Sequence, residues 1–186
     1  PVTGKPNTAR LSEQLDFTVS NQSGEQVGEV DDIVIDLGNA MVAYVIVNTG
    51  DKQVAVPWNQ LSVADEQPNS FVLQAEDDLF TNAPTFDLST LPAVGEAAND
   101  WDAELRSYWK GNSAAPGSAN QGQLQGVMLA GQALDANLSM QDQTALQAEI
   151  EDLIVNTQSG KVQFVVVKTN LDNAERWIPV PLALFN

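Results

Sequence analysis

The feature that most constrains the fold of this chain is an internal repeat. Residues 29–36 read EVDDIVID and residues 149–156 read EIEDLIVN, at an offset of 120 with no gap. The correspondence continues to Val47 and Val167, and five of the 19 aligned pairs are identical. The next loop is four residues longer in the second copy. After it, VAVPW in the first copy corresponds to IPVPL in the second. Matches that recur in this order indicate that one structural unit has been duplicated.

Each copy is predicted to consist of β-strands. Val and Ile dominate both copies, and their branched side chains favour the pleated sheet over the helix. Turn residues, among them Gly24, Gly38 and Gly50, separate the apolar runs of the first copy. Pro57 cannot donate a ladder hydrogen bond, so it is predicted to end its strand or to lie at a sheet edge. Trp58 comes directly after it and is predicted to pack at the end of a barrel.

An irregularity is predicted in the acidic strand of each copy. Ile33 and the residues in phase with it share one face of that strand, whereas Val30 has the opposite parity. Both sets can point inward only if one extra residue is inserted, so we expect a β-bulge at Asp31 and Asp32. The same change in the parity of the apolar residues occurs just before Asp152 in the second copy. These three aspartates are therefore predicted to have structural roles.

The second copy is shorter than the first. Two short strands are predicted after Trp58, around residues 61–63 and 71–73, and the sequence reaches Asn186 with no counterpart of them. Small barrels close their own sheet edges. The second barrel is therefore expected to borrow a strand from the N-terminal segment, from the linker or from another chain.

A helix with an aromatic stripe is predicted between the copies. Residues 99–111 begin with Asn-Asp, carry acids in the first turn and bases in the last, and end with Gly. The candidate partner-binding residues share one face of this helix: Trp101, Leu105, Tyr108 and Trp109. The stripe either packs on one of the chain's own barrels or docks another chain. Residues 112–123, rich in Gly, Ser and Ala, are predicted to be a flexible linker.

The first copy resembles the PRC-barrel family. The resemblance rests on LDF before the Gly24 turn, on VGEVDDIVID at 27–36, on VAVPW at 54–58 and on APTF at 83–86. It covers nearly all of residues 11–90, and a weaker resemblance covers about 124–186. The family includes the cytoplasmic part of the photosynthetic reaction-centre H subunit, a domain of a ribosome-maturation factor and many stand-alone proteins. The resemblance implies a small barrel that serves protein contacts and assembly rather than catalysis.

Together these observations predict an all-β fold of two small PRC-barrel-like β-barrels in tandem, joined by a short helix and a flexible linker. The predicted division of the chain is an N-terminal extension, a first barrel, a helix with its linker, and a second barrel, at 1–10, 11–95, 96–123 and 124–186.

The composition excludes several classes of function. The chain has no His and no Cys, which removes thiol nucleophiles, Cys/His zinc sites and the commonest general base. Its net charge of −17 repels phosphate backbones and anionic lipid headgroups. No apolar run approaches the length of about 20 residues that spans a bilayer. We therefore predict no enzyme activity, no cofactor and no nucleic-acid partner.

The acidic strand of the first copy raises the alternative of a cation site. Calcium prefers several oxygen ligands at once, and this strand contains Glu29, Asp31, Asp32 and Asp36. Because side chains alternate along a strand, the first two point to one face and the last two to the other. The residues therefore predict no metal site.

The leading interpretation is a non-enzymatic protein-interaction, scaffolding or assembly module that binds a protein partner or copies of itself. Two alternatives stay open: an acidic protein that binds a cation or a small ligand, and an accessory subunit of a membrane complex of the photosynthetic type. The chain starts at Pro1 rather than Met, which leaves open a preceding signal peptide, lipid anchor or transmembrane segment. Abundant Asn, Gln, Ser and Thr with few Lys favour an extracytoplasmic or cell-surface location, with the cytoplasm as the alternative.

Overall fold

The structure, a computed structural model, describes residues 7–64, 67, 69–91, 100–110, 124, 126–134, 136–140, 143–171 and 174–182. Its strands are β1 (Thr8–Arg10), β2 (Thr18–Ser20), β3 (Gln26–Asp36), β4 (Met41–Asn48), β5 (Gln53–Pro57), β6 (Leu61–Val63), β7 (Ser70–Leu73), β8 (Val127–Leu129), β9 (Asn137–Met140), β10 (Gln143–Asn156), β11 (Val162–Leu171) and β12 (Ala174–Pro181). Its α-helices are α1 (Leu11–Gln14), α2 (Asp77–Thr81), α3 (Asp100–Lys110) and α4 (Ala130–Ala133), and single turns of 3-10 helix cover Trp58–Gln60 and Leu88–Thr90.

The strands form two curled half-barrel sheets, and the fold is all-β as the sequence predicts. The first sheet has the order β5-β4-β3-β2-β7-β6, with β8 also paired to β3. The second sheet has the order β1-β10-β11-β12, with β9 also paired to β10. Pairing is antiparallel except between β2 and β7, which run parallel. Pro57 is the last residue of β5, so its missing N–H interrupts no continuing ladder, as predicted.

The two copies have the same strand register. In the first sheet Tyr44 lies opposite Val34. In the second sheet Phe164 lies opposite Ile154. Phe164 and Ile154 follow Tyr44 and Val34 by 120 positions each, which is the offset that the repeat predicts. The duplication is therefore present in the three-dimensional pairing as well as in the sequence.

The predicted bulge is confirmed in both copies. The register of β3 against β4 shifts between Val30 and Asp32. The register of β10 against β11 shifts between Ile150 and Asp152. The extra residue lets the apolar positions on both sides of the shift point into the core. Asp31, the inserted residue of the first copy, is exposed, whereas the next carboxylate is turned toward the protein.

The two copies exchange their first strand and helix. Strand β1 pairs with β10 of the second sheet, and Arg10 lies opposite Ile154. Strand β8 pairs with β3 of the first sheet, and Leu129 lies opposite Val34. The two pairings are equivalent, because Ile154 and Val34 are repeat partners. The N-terminal segment thus supplies the strand that the second barrel was expected to borrow, and the linker side of the second copy supplies one in return.

An approximate two-fold axis relates the copies. Met41 and its repeat partner Lys161 form an antiparallel bridge with each other. The N–H of Val42 donates to the carbonyl of Gly160 at 2.8 Å, and the N–H of Val162 donates to the carbonyl of Ala40, also at 2.8 Å. A residue that contacts its own equivalent is the mark of a two-fold contact. The chain is thus organised internally like a symmetric dimer with exchanged ends.

Trp58 joins the two copies at this axis. Its ring packs edge to face on Phe71, with centroids 5.7 Å apart, and is buried at the end of the first barrel as predicted. The other side of the ring lies against Gly160, which has a φ of +72°. A Cβ added there would lie 2.7 Å from Cδ1 of the indole. Glycine is therefore required for close approach as well as for its left-handed backbone.

Replacing Gly160 with Ala is expected to destabilise the protein more than the same change at Gly24. Both glycines have positive φ, but a Cβ at Gly24 meets nothing within 4 Å. Gly24→Ala should therefore cost only backbone strain, about 1–2 kcal/mol. Gly160→Ala should lower the free energy of unfolding by a further 1–3 kcal/mol, roughly, from the clash with Trp58. Denaturant unfolding measures both, and equal losses would show that the contact across the axis contributes nothing.

Candidate functional site

Helix α3 covers the outer face of the first sheet, the face turned away from the barrel core. Residues 42–47 of β4 are all buried, so both faces of this strand are protected from water. The indole Nε1 of Trp109 donates to the carbonyl of Ala55 in β5 at 3.0 Å. The ring of Trp101 meets that of Tyr44 edge to face at 5.9 Å. The helix is thus attached to β4 and to the edge strand β5.

The structure places the predicted aromatic stripe on the chain's own first barrel. Leu105 and Trp109 are buried, whereas Trp101 and Tyr108 keep part of their surface accessible. The hydroxyl of Tyr108 donates to the carbonyl of Leu79 at 2.6 Å. All four candidate residues therefore lie together on one surface, and a contact of this stripe with another chain stays a prediction.

A buried carboxylate strengthens this attachment. Oδ1 of Asp102 accepts a hydrogen bond from the hydroxyl of Tyr44 at 2.9 Å, and Oδ2 lies 2.9 Å from Nη2 of Arg106. Burial, followed by the charge of Asp102, raises the pKa of Tyr44 well above its usual range. Sequence reasoning assigned the acids of this helix to its dipole and missed this role. The spacing of Asp102 and Arg106, four residues apart on one helix, was the available signal.

The corresponding face of the second sheet is exposed. Along β11 from position 164 to position 170, residues 165, 167 and 169 are buried and the alternating residues are not. Phe164 is 38% exposed, and Trp177, on β12, is 54% exposed. Strand pairing puts Phe164 opposite Pro181, Val166 opposite Pro179 and Lys168 opposite Trp177. Phe164, Val166, Pro179 and Trp177 therefore share one outward surface, which we call the open face.

The open face is the repeat equivalent of the surface that α3 covers. In the first sheet Tyr44 lies opposite Pro57, and in the second Phe164 lies opposite Pro181. By the same register Ala55 corresponds to Pro179 and Gln53 to Trp177. Sequence reasoning missed this surface, although the repeat alignment already pairs Tyr44 with Phe164.

Asp152 ties the exchanged N-terminal segment to the second sheet. Its buried Oδ2 accepts hydrogen bonds from Nε of Arg10 at 2.7 Å and from the hydroxyl of Ser12 at 2.6 Å. Its Oδ1 accepts from the backbone N–H of Ser12 at 3.1 Å and of Leu153 at 2.8 Å. The hydrogen bond to Asp152 and then its charge raise the pKa of Arg10. The predicted structural role of Asp152 is thus to hold β1 and α1 in place.

Asp32 occupies the equivalent position in the first copy, where Leu129 rather than a basic residue has the register position of Arg10. Its Oδ1 accepts from the backbone N–H of Ile33 at 2.7 Å and of Gly131, in α4, at 3.1 Å. Burial is the main cause that raises the pKa of Asp32, and backbone hydrogen bonds oppose it. Asp31, its exposed neighbour, accepts from Nε2 of Gln53 at 2.6 Å. Both aspartates of the first bulge are therefore used in intramolecular contacts.

Neither a group of metal-ligand side chains nor a membrane-spanning helix is found in the described part of the chain. Within the described ranges, no three Asp or Glu side chains are grouped so that they could hold a metal ion. In the same ranges, no helix has the length and apolar character needed to cross a membrane.

Comparison with known protein families matches the PRC-barrel domain to residues 6–79. Residues 6–79 are a PRC-barrel domain. The second half-barrel sheet, with its matching register, indicates another barrel-like domain. No curated protein matches the chain. PRC-barrel domains are generally non-catalytic.

Replacing Trp101 and Trp109 together with Ala is expected to destabilise the PRC-barrel domain. Trp109 is buried and hydrogen bonded, and truncation of such a residue costs about 3–5 kcal/mol. Glu104→Ala, at an exposed position of the same helix, is the control and should cost little. Thermal unfolding and the mass in solution are measured together. A double variant that keeps its stability and falls from oligomer to monomer would show instead that the stripe is an interface between chains.

Asp152→Asn is expected to destabilise the protein, whereas Asp32→Asn is not. The first change breaks charged hydrogen bonds to Arg10 and Ser12, at a cost of about 1.5–3 kcal/mol. The second keeps a carbonyl acceptor for Ile33 and Gly131 and removes a charge that burial disfavours.

The two variants should also differ in their dependence on pH. The pKa of Asp32 is higher in the folded than in the unfolded chain, so its contribution to stability falls as pH rises through that interval. Asp32→Asn should therefore be at least as stable as the wild type at pH 7, and its advantage should vanish below about pH 4. Denaturant unfolding at both pH values checks this. A loss at pH 7 as large as that of Asp152→Asn would show that the charge of Asp32 is required.

Proposed function

We propose that this chain is a non-enzymatic protein-interaction module, in which two barrel-like units present surfaces for assembly with a protein partner. The observation that carries the proposal is the open face of the second sheet. Aromatic side chains of this size rarely face water together unless they serve a contact. Phe164 and Trp177 are both exposed, whereas Tyr44, the repeat equivalent of Phe164, is buried. Gln53, the repeat equivalent of Trp177, is half-buried.

The stripe of α3 is a second candidate surface. Only Trp101 and Tyr108 keep accessible area in the folded chain, so a partner of the intact protein would contact these two rather than Leu105 or Trp109. Tyr108 also lies edge to face with Trp109, with ring centroids 5.4 Å apart. A partner that contacts Tyr108 would therefore reach the part of the helix that is best anchored.

The carboxylates of the chain support a binding role rather than a catalytic one. General acid–base chemistry by carboxylates needs a pair that faces one substrate cavity. Asp32 and Asp152 are engaged with backbone and side-chain donors at the two bulges. Asp102 is engaged with Tyr44 and Arg106. These three buried or half-buried acids thus serve the fold.

The native mass tests the proposal. The chain has a mass of 20.0 kDa, and we expect it to be recovered from its own cells, under mild extraction, in a complex of defined higher mass. A cation or small-ligand complex would leave the mass near that of the chain alone, which separates the two classes of function. Recovery as a monomer over a tenfold range of concentration would contradict the proposal.

A further inference from the structure

We propose that the open face binds an amphipathic helix of a partner protein, held by large aromatic side chains in the way that α3 is held on the first sheet. This inference rests on the proposed interaction function and specifies the class of partner and the surface. The first barrel supplies the template, because there the helix α3 covers the equivalent surface of the sheet.

Two positions that α3 contacts on the first sheet have counterparts on the open face. Trp101 packs on Tyr44, and Phe164 stands at that position in the second sheet. Trp109 donates to the carbonyl of Ala55, and Pro179, which keeps its carbonyl, stands at that position. Both sheets have identical strand pairing here. A helix placed as α3 is placed would therefore meet an apolar ring near its N-terminal end and a carbonyl acceptor near its C-terminal end.

The differences between the two faces define the occupant further. Phe164 has no hydroxyl, so the occupant needs no carboxylate like that of Asp102, which accepts from Tyr44 in the first copy. Trp177 replaces the polar Gln53, which makes the open face more apolar than its template. The occupant is therefore a helix whose contacting stripe is apolar and aromatic throughout.

The charge at one end of the open face fits a helix in this orientation. Lys168 stands where Asn48 stands in the first sheet, beyond the position matched to Trp109. A helix docked like α3 would point its C-terminal end toward Lys168, and that end carries partial negative charge. Two acids lie beside Lys168: Oε1 of Glu175 is 3.9 Å from its Nζ, at the limit of an ion pair, and Glu149 is its cross-strand partner in β10.

Two other occupants fit less well. Strand addition at the edge of β12 is disfavoured because Pro179 and Pro181 provide no N–H donors. A second molecule of this protein is disfavoured because each molecule carries a net charge of −17, so two copies repel each other. A helix from a different protein avoids both problems.

The probe is a peptide copy of α3 in which Ala replaces Asp102, because Phe164 has no hydroxyl to donate to that carboxylate. Residues 99–111 are synthesised with a hydrocarbon staple between positions 103 and 107, which are exposed in the helix and four residues apart. The staple keeps the peptide helical without touching the stripe. Fluorescence anisotropy at physiological salt is expected to show saturable binding to the full chain. The double variant Phe164→Ser, Trp177→Ser should bind at least tenfold more weakly.

Ile178→Ser is the matched control on the protein. Ile178 is 40% exposed and adjacent to Trp177, but it pairs with the buried Val167 and has the parity of the opposite face. This variant should bind the peptide within twofold of the wild type. A second control is a stapled peptide in which Ala replaces Trp101, Leu105 and Trp109; it should not bind.

Three results would overturn the inference. The first is no saturable binding, and the second is equal binding by the double variant, which would mean that the peptide exchanges with α3 on the first sheet. The third is a wild-type dimer that the double variant converts to a monomer, which would assign the open face to a second molecule of this protein. In the first two cases the proposed function would still stand if the chain is recovered in a larger native complex.

Discussion

Each half of this protein depends on one side-chain oxygen acceptor at a β-bulge, supplied by Asp32 in the first copy and by Asp152 in the second. The bulge inserts one residue, and the carboxylate directly after it turns toward the protein instead of toward solvent. In both copies Oδ1 accepts the next backbone N–H and an N–H from a short helix of the other copy, at Gly131 for Asp32 and at Ser12 for Asp152. A bulge is therefore the reason that the exchanged segments have a fixed place to bind.

The exchange makes the two sheets mutually dependent. Each lends its first strand to the other, and a two-fold bridge between Met41 and Lys161 joins their turns. Trp58 then packs on Gly160 across the same axis. Because isologous contacts are made twice, a small surface of this kind fixes the relative position of the two sheets efficiently. The symmetry ends at β5, after which the first copy continues into β6, β7 and α3.

That asymmetry separates a covered surface from an exposed one. In the first copy, α3 covers the outer face of β4, and its buried acid Asp102 accepts a hydrogen bond from Tyr44. In the second copy the same strand register leaves Phe164 and Trp177 in contact with water. One duplicated unit thus has equivalent surfaces that differ in exposure, with Tyr44 buried in the first copy and Phe164 exposed in the second. A binding function that uses this surface needs no catalytic group, in agreement with the generally non-catalytic character of PRC-barrel domains.

Periodicity and repetition in the sequence determined the strands, the duplication and the bulges before Asp32 and Asp152. They did so because β-branched composition and the parity of apolar residues are local properties of the chain. They also located the aromatic stripe of α3, since helical spacing alone aligns Trp101, Leu105 and Trp109. Only the tertiary structure decided that β1 and β8 change places, that α3 lies on the first sheet, and that the open face is left exposed. Those outcomes depend on contacts between residues far apart in the chain, and its local patterns are equally compatible with pairing within each copy.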